Sequence, residues 1–104
     1  MSLDRALAAL ADPTRRQLVE RLAKGPTRAG ALASGFSISR PGVTKHLGVL
    51  VDAGLVDVSR EGRMMIYRLA PGGIEPIRKW MDEASRMWDE ALDSLKKYAE
   101  RRDV

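Results

Sequence analysis

The stretch Ser37-Ile38-Ser39-Arg40-Pro41-Gly42-Val43-Thr44-Lys45-His46-Leu47-Gly48-Val49-Leu50-Val51-Asp52-Ala53-Gly54-Leu55-Val56 reads as a two-faced helix that turns at once into a strand. Ser39 is a good N-cap, and Pro41 falls in the first turn, where its missing N–H costs little. Val43, Leu47 and Leu50 recur at i, i+4 and i+7 and form a core-facing stripe. The other face carries Arg40, Thr44, Lys45 and the bare Gly48, with no large apolar residue. Gly54 supplies the stop. A helix over about residues 39–53 that turns short polar and basic groups outward from its N-terminal half suits the DNA major groove.

The flanking sequence completes a unit around this helix. Residues 3–11 predict a short amphipathic helix with Leu3, Leu7 and Leu10 on one side. Asp12-Pro13 restarts the pattern as N-cap and N1 of a second helix, which runs to about Lys24 with Leu18, Val19 and Leu22 inward. Gly25-Pro26 ends it. A third, short helix is expected from about Thr27 to Ser34, burying Ala29, Leu32 and Ala33. Gly35-Phe36-Ser37-Ile38 then turns into the helix first described, giving a helix-turn-helix unit.

A hairpin follows directly, over about residues 55–69. Its strands are Leu55–Ser59 and Met64–Leu69, with Arg60-Glu61-Gly62-Arg63 as the turn. A hairpin after such a helix is a wing, and Arg60 and Arg63 at its tip are placed to meet a phosphate backbone or a minor groove. Ala70-Pro71-Gly72-Gly73 breaks the chain, and a last helix is predicted over 74–101. There Ile77, Met81, Ala84, Trp88, Ala91, Leu95 and Tyr98 repeat with a 4-3 spacing, which is a heptad seam. Trp80, Met87 and Leu92 widen it. A helix of roughly 40 Å is more than one small domain covers. The expected cover for the remainder is a second copy of the chain, with Leu3, Leu7 and Leu10 contributing.

Composition bounds the reading. At 104 residues the chain is expected to be one domain, 1–104, near the size where a partner helps. No apolar run approaches the ~20 residues of a membrane span. The N-terminus does not have the pattern of a signal peptide, and with no cysteines there is no disulfide or thiolate site. These features point to the cytoplasm, with no membrane partner. The net charge is +4, and it is unevenly spread. Residues 28–68 hold six basic side chains against three acidic, whereas residues 69–104 hold seven against eight. The excess sits around the two-faced helix and favours a polyanion. No nucleophile–base pair, glycine-rich phosphate loop or metal cage is present, so no enzyme is expected and no cofactor is called for.

Four segments resemble the ArsR-type (ArsR/SmtB) winged-helix regulators. They are Ala8-Ala9-Leu10-Ala11-Asp12-Pro13-Thr14-Arg15-Arg16-Gln17-Leu18, Ser39 through Leu47, Ala53-Gly54-Leu55-Val56, and the wing with Arg60-Glu61-Gly62-Arg63 and Tyr67-Arg68-Leu69. The resemblance covers roughly residues 3–70, with a last helix of the family's kind after it. It implies a mainly α fold with a small β-hairpin, in the order α-α-α-α-β-β-α. It also implies a homodimer held by residues 1–11 and 74–101, through Leu3, Leu7, Leu10, Ile77, Met81, Ala84, Trp88, Ala91 and Leu95. Double-stranded DNA is the implied partner, read at a partly palindromic promoter site by a repressor. The positions carried over as DNA contacts are Ser39, Arg40, Thr44, Lys45, His46, Arg60 and Arg63.

The departures from the family matter as well. Many members sense metals through cysteines near the third helix or histidines along the last. Here Thr27-Arg28-Ala29-Gly30 offers no soft ligand, and the last helix has carboxylates but no histidine. No metal site is expected, and the resemblance supplies no effector. Gly48 stands where relatives often carry a basic residue. His46 borders the apolar stripe and divides between packing and DNA contact. Of Arg15 and Arg16, one is expected to pair with Glu20 and the other to face phosphate, without the sequence assigning which. Two other uses of the chain stay open. One is an interaction module whose last helix recruits a different protein, and the other a small-molecule sensor with Trp80, Met87 and Trp88 around a pocket.

Overall fold

A computed structural model describes residues 2–102. The elements follow in the order α1 (Leu3–Leu10), α2 (Pro13–Leu22), β1 (Thr27–Arg28), α3 (Ala29–Ser34), α4 (Arg40–Asp52), β2 (Val56–Glu61), β3 (Met64–Leu69) and α5 (Glu75–Arg102). This is a winged helix-turn-helix, mainly helical as the sequence predicts. The core is one cluster in which Leu18 and Leu22 of α2, Leu32 of α3, Val43, Leu47 and Leu50 of α4, and Leu55 and Val56 beyond it are buried. Fully burying side chains of this size stabilises the fold by about 1.5–3 kcal/mol each. α4 is therefore locked from behind along its whole length.

Both ends of α4 are finished by local chemistry. The Ser39 hydroxyl accepts the Gly42 N–H at 3.2 Å, as an N-cap should. At the other end Gly54 adopts φ +78°, a left-handed conformation that costs any other residue. The Gly54 N–H reaches the Val51 carbonyl and the Leu55 N–H reaches the Leu50 carbonyl, both at 3.0 Å. That pair of bonds is the Schellman arrangement, and buried Leu55 and Leu50 supply its apolar contact. The helix thus ends where β2 must begin.

The wing is tighter than the sequence suggests. β2 and β3 pair antiparallel from Val56↔Leu69 to Glu61↔Met64, which leaves only Gly62 and Arg63 as the loop. Gly62 takes φ +64° in the first loop position, the type II′ requirement. Arg60, expected in the turn, lies instead on β2 opposite Met65. The sheet also has a third member, since β1 pairs with β3 through Thr27↔Tyr67 and Arg28↔Ile66. The third helix therefore starts at Ala29 rather than Thr27. Two residues are too few to show a strand's alternation, and only the distant β3 makes them one.

α1 packs through alanines. Ala6 and Ala9 are buried, Leu3 and Leu10 half-buried, and Leu7 remains exposed. α5 touches the body at its start, where Ile77 packs on the core, and along α1. From Trp80 onward it projects away, and the molecule reaches 73 × 26 × 21 Å.

Candidate nucleic-acid interface

The exposed face of α4 is built from side chains that its own backbone partly employs. The Thr44 hydroxyl donates to the Arg40 carbonyl at 3.0 Å, and the Ser39 hydroxyl is the N-cap. Arg40 and Lys45 are exposed and, among the described residues, have no ion-pair partner. A Cβ placed on Gly48 would meet nothing within 4 Å, so this stretch of backbone faces open solvent and admits close approach. The N-terminal half of the helix presents two uncommitted cations beside a flat, side-chain-free patch.

Arg40 and Thr44 line a cleft of about 280 Å³ between α4, the β1–α3 junction and the wing. Arg63 enters it from the hairpin loop and Arg28 from β1, while Met64, Met65 and Tyr67 of β3 complete the walls. Three arginines therefore line one depression with no carboxylate among its lining residues. Arg60 is exposed on β2 and, among the described residues, has no ion-pair partner, but it does not line the cleft. Lys45 likewise stays outside it, on the front of the helix.

His46 is placed differently. It is half-buried on the side of α4 that meets α2, and its Nδ1 lies 3.4 Å from Nη1 of Arg15. The two form a hydrogen bond when Nδ1 is unprotonated and accepts. Arg15 is itself a hub. Its Nε donates to the Ala9 carbonyl at 2.6 Å, Nη2 to the Ala8 carbonyl at 3.2 Å, and Nη1 lies 3.8 Å from the Asp12 carboxylate. Arg16 donates to the Leu10 carbonyl at 2.7 Å. Both arginines thus donate to carbonyls in the last turn of α1, where a cation is also favoured by the helix dipole, and the Ala8 carbonyl takes the Ala11 N–H as well. Neither forms the expected pair with Glu20 among the described residues. Asp12 caps α2 by accepting the Arg15 N–H at 3.1 Å. That hydrogen bond, with the Thr14 N–H and the Arg15 charge behind it, holds the carboxyl below its ordinary pKa against the opposing effect of desolvation.

Arg28 also lines this cleft, and sequence reasoning did not single it out. A single arginine after Gly-Pro has no periodic signature, and only the β1–β3 pairing brings it to the wing. The available signal was the charge count, since Arg28 belongs to the basic central segment.

The other exposed surface is the long helix. Trp80, Met81, Met87, Trp88, Leu92, Leu95 and Tyr98 are all exposed, Trp88 to 70%. Trp80, Met81, Ala84 and Trp88 border one shallow apolar groove of about 350 Å³. Among the described residues no helix is long and apolar enough to cross a membrane.

A capped, core-locked helix with a basic front, flanked by a basic wing, defines a winged helix-turn-helix of the DNA-binding class. Comparison with known proteins narrows this. A helix-turn-helix domain family matches residues 10–59. An HTH-type transcriptional regulator of Mycobacterium tuberculosis is 47% identical over 91 residues, 88% of this chain and 82% of its own length. The transcriptional repressor SdpR of Bacillus subtilis is 32% identical over 79 residues, 76% of this chain and 88% of its own. An ArsR-like transcriptional regulator from Rhodococcus has a similar structure, with a TM-score of 0.81 at 30% identity, covering 93% of this chain and 92% of that one. A homodimeric winged helix-turn-helix DNA-binding domain from Mycobacterium bovis, described as a possible ArsR-family regulator, gives 0.65 at 29% identity, covering 86% and 81%. The chain belongs to the ArsR-type winged helix-turn-helix transcriptional regulators.

Proposed function

We propose that the protein is a homodimeric repressor that occupies a partly palindromic promoter site. The observation that carries this reading is the uncommitted Arg40 and Lys45 on the front of α4, beside Arg63 of the wing. In this reading α4 enters the major groove with Lys45 at its front, Arg40 stands at the groove edge beside the wing, Thr44 and Ser39 stand close to the backbone, and Arg60 and Arg63 anchor the flank. His46 contributes by fixing α4 against Arg15, with its second ring nitrogen left for a phosphate. Repression is supported by SdpR, a repressor covered over 88% of its own length.

The dimer reading rests on α5. Leu3, Leu7 and Leu10 of α1 join Ile77, Met81, Ala84, Trp88, Ala91 and Leu95 in one partner surface, and the related M. bovis domain is homodimeric. A two-fold dimer spaces its recognition helices about 34 Å apart, one turn of DNA, which is why the site is read as a palindrome. A charge at the middle of the seam tests this. Trp88→Glu is expected to turn a sedimenting dimer into a monomer that keeps its helical circular dichroism and loses promoter binding. Wild-type protein that sediments as a monomer at micromolar concentration contradicts the dimer.

A further inference from the structure

We propose that Arg28 is a DNA-backbone contact, closing with Arg40 and Arg63 on one phosphate at the notch between α4 and the wing. The inference rests on the DNA-binding reading above and adds to it a residue on neither the recognition helix nor the hairpin.

Three observations carry it. The first is position: the Arg28↔Ile66 register puts this exposed residue at the sheet edge, where its side chain lines the same cleft as Arg40, Thr44 and Arg63. The second is the direction of Arg40. A Cβ on Gly30 would stand 3.9 Å from both Cζ and Nε of Arg40. The Arg40 guanidinium is therefore folded back against Gly30 of α3, two residues from Arg28, and is not extended ahead of the helix. The third is the lack of a protein anion. Among the described residues, the one polar contact of the Arg28 guanidinium is the Met64 sulfur, 3.9 Å from Nη1, a weak acceptor. Glu61, which faces Met64 across the hairpin, is taken by Arg68 at 3.5 Å.

Three like charges facing one depression repel one another until an anion enters. Guanidinium forks match phosphate oxygens in geometry as well as in charge. The cleft is continuous with the exposed front of α4, so the anion it fits is a phosphodiester of the strand that α4 approaches. Arg28 and the folded-back Arg40 then position the duplex, while Lys45 at the front is left to read bases.

The test uses the full chain and two duplexes, the gene's own upstream region and a scrambled one, titrated by fluorescence anisotropy from 50 to 200 mM salt. Arg28→Gln is expected to weaken binding to both duplexes by the same factor. It is also expected to flatten the salt dependence by about 0.9 in log–log slope for each contact removed, so that wild type loses about 3.5-fold more affinity over that salt range per contact. Arg28→Lys, which keeps the charge, is expected to retain most of the slope. Arg101→Gln, an equal loss of charge near the far end of α5, is expected to change neither quantity. An Arg28→Gln variant with wild-type affinity and slope overturns the proposal and leaves the DNA-binding reading standing. A loss confined to the upstream duplex overturns it too, because Arg28 would then read a base. Wild-type protein that binds neither duplex overturns both.

Discussion

At the scale of single residues, the side chains divide by whether the fold already employs them. Ser39, Thr44, Arg15 and Arg16 are tied to backbone groups, whereas Arg28, Arg40, Lys45, Arg60 and Arg63 pair with no carboxylate among the described residues. Asp12 belongs to the first group and makes its contribution pH-dependent. Its native pKa lies below the unfolded value because the ionised carboxylate accepts the Arg15 N–H. The ionised form therefore stabilises the fold at every pH above the unfolded pKa, and the gain disappears as pH falls through the native value. Asp12→Asn keeps a good cap without the charge. Urea unfolding is expected to find wild type the more stable at pH 7, with the gap narrowing toward about pH 3. A gap of equal size at both pH values contradicts this role for the charge.

At the scale of elements, α4 is decided by its ends and its inner stripe. Gly54→Ala places a Cβ in the left-handed region, and the expected cost is about 1–2 kcal/mol, read as a lower urea midpoint at unchanged slope. An unchanged midpoint means the Schellman turn does not set the end of α4. This element was legible in the sequence because caps, stop and the Val43, Leu47, Leu50 period are local rules. β1 and the true wing loop were not. Thr27-Arg28 becomes a strand only through a partner some forty residues away, and Arg60 leaves the turn because the pairing runs on to Glu61↔Met64. The same physics hid the Arg15–His46 contact, which joins positions 31 apart. Of the candidate interface, residues on α4 were readable from spacing, while Arg28 needed the tertiary register.

At the scale of the whole molecule, two surfaces face away from the core. One is basic and spans α4, β1 and the wing. The other is the apolar length of α5, whose 28 residues run about 42 Å. An apolar surface of that extent marks an association site in a protein that stays in solution. In the proposed dimer this surface is covered by a second copy, and the basic surface of each copy is left to meet DNA. Arg15 connects the two ends of this arrangement, because it holds the α1 carbonyls and His46 of α4 at once.

The central claim is sequence-selective binding by that basic surface. It is tested most directly by anisotropy of wild-type protein on DNA from the gene's own upstream region against a scrambled duplex, at near-physiological salt, with zinc and with chelator. Tighter binding to the upstream DNA at two protomers per site is expected, with a steep salt dependence and no response to metal. Equal affinity for the two duplexes contradicts selective reading by α4, and metal-dependent release contradicts the absence of a metal site on α5.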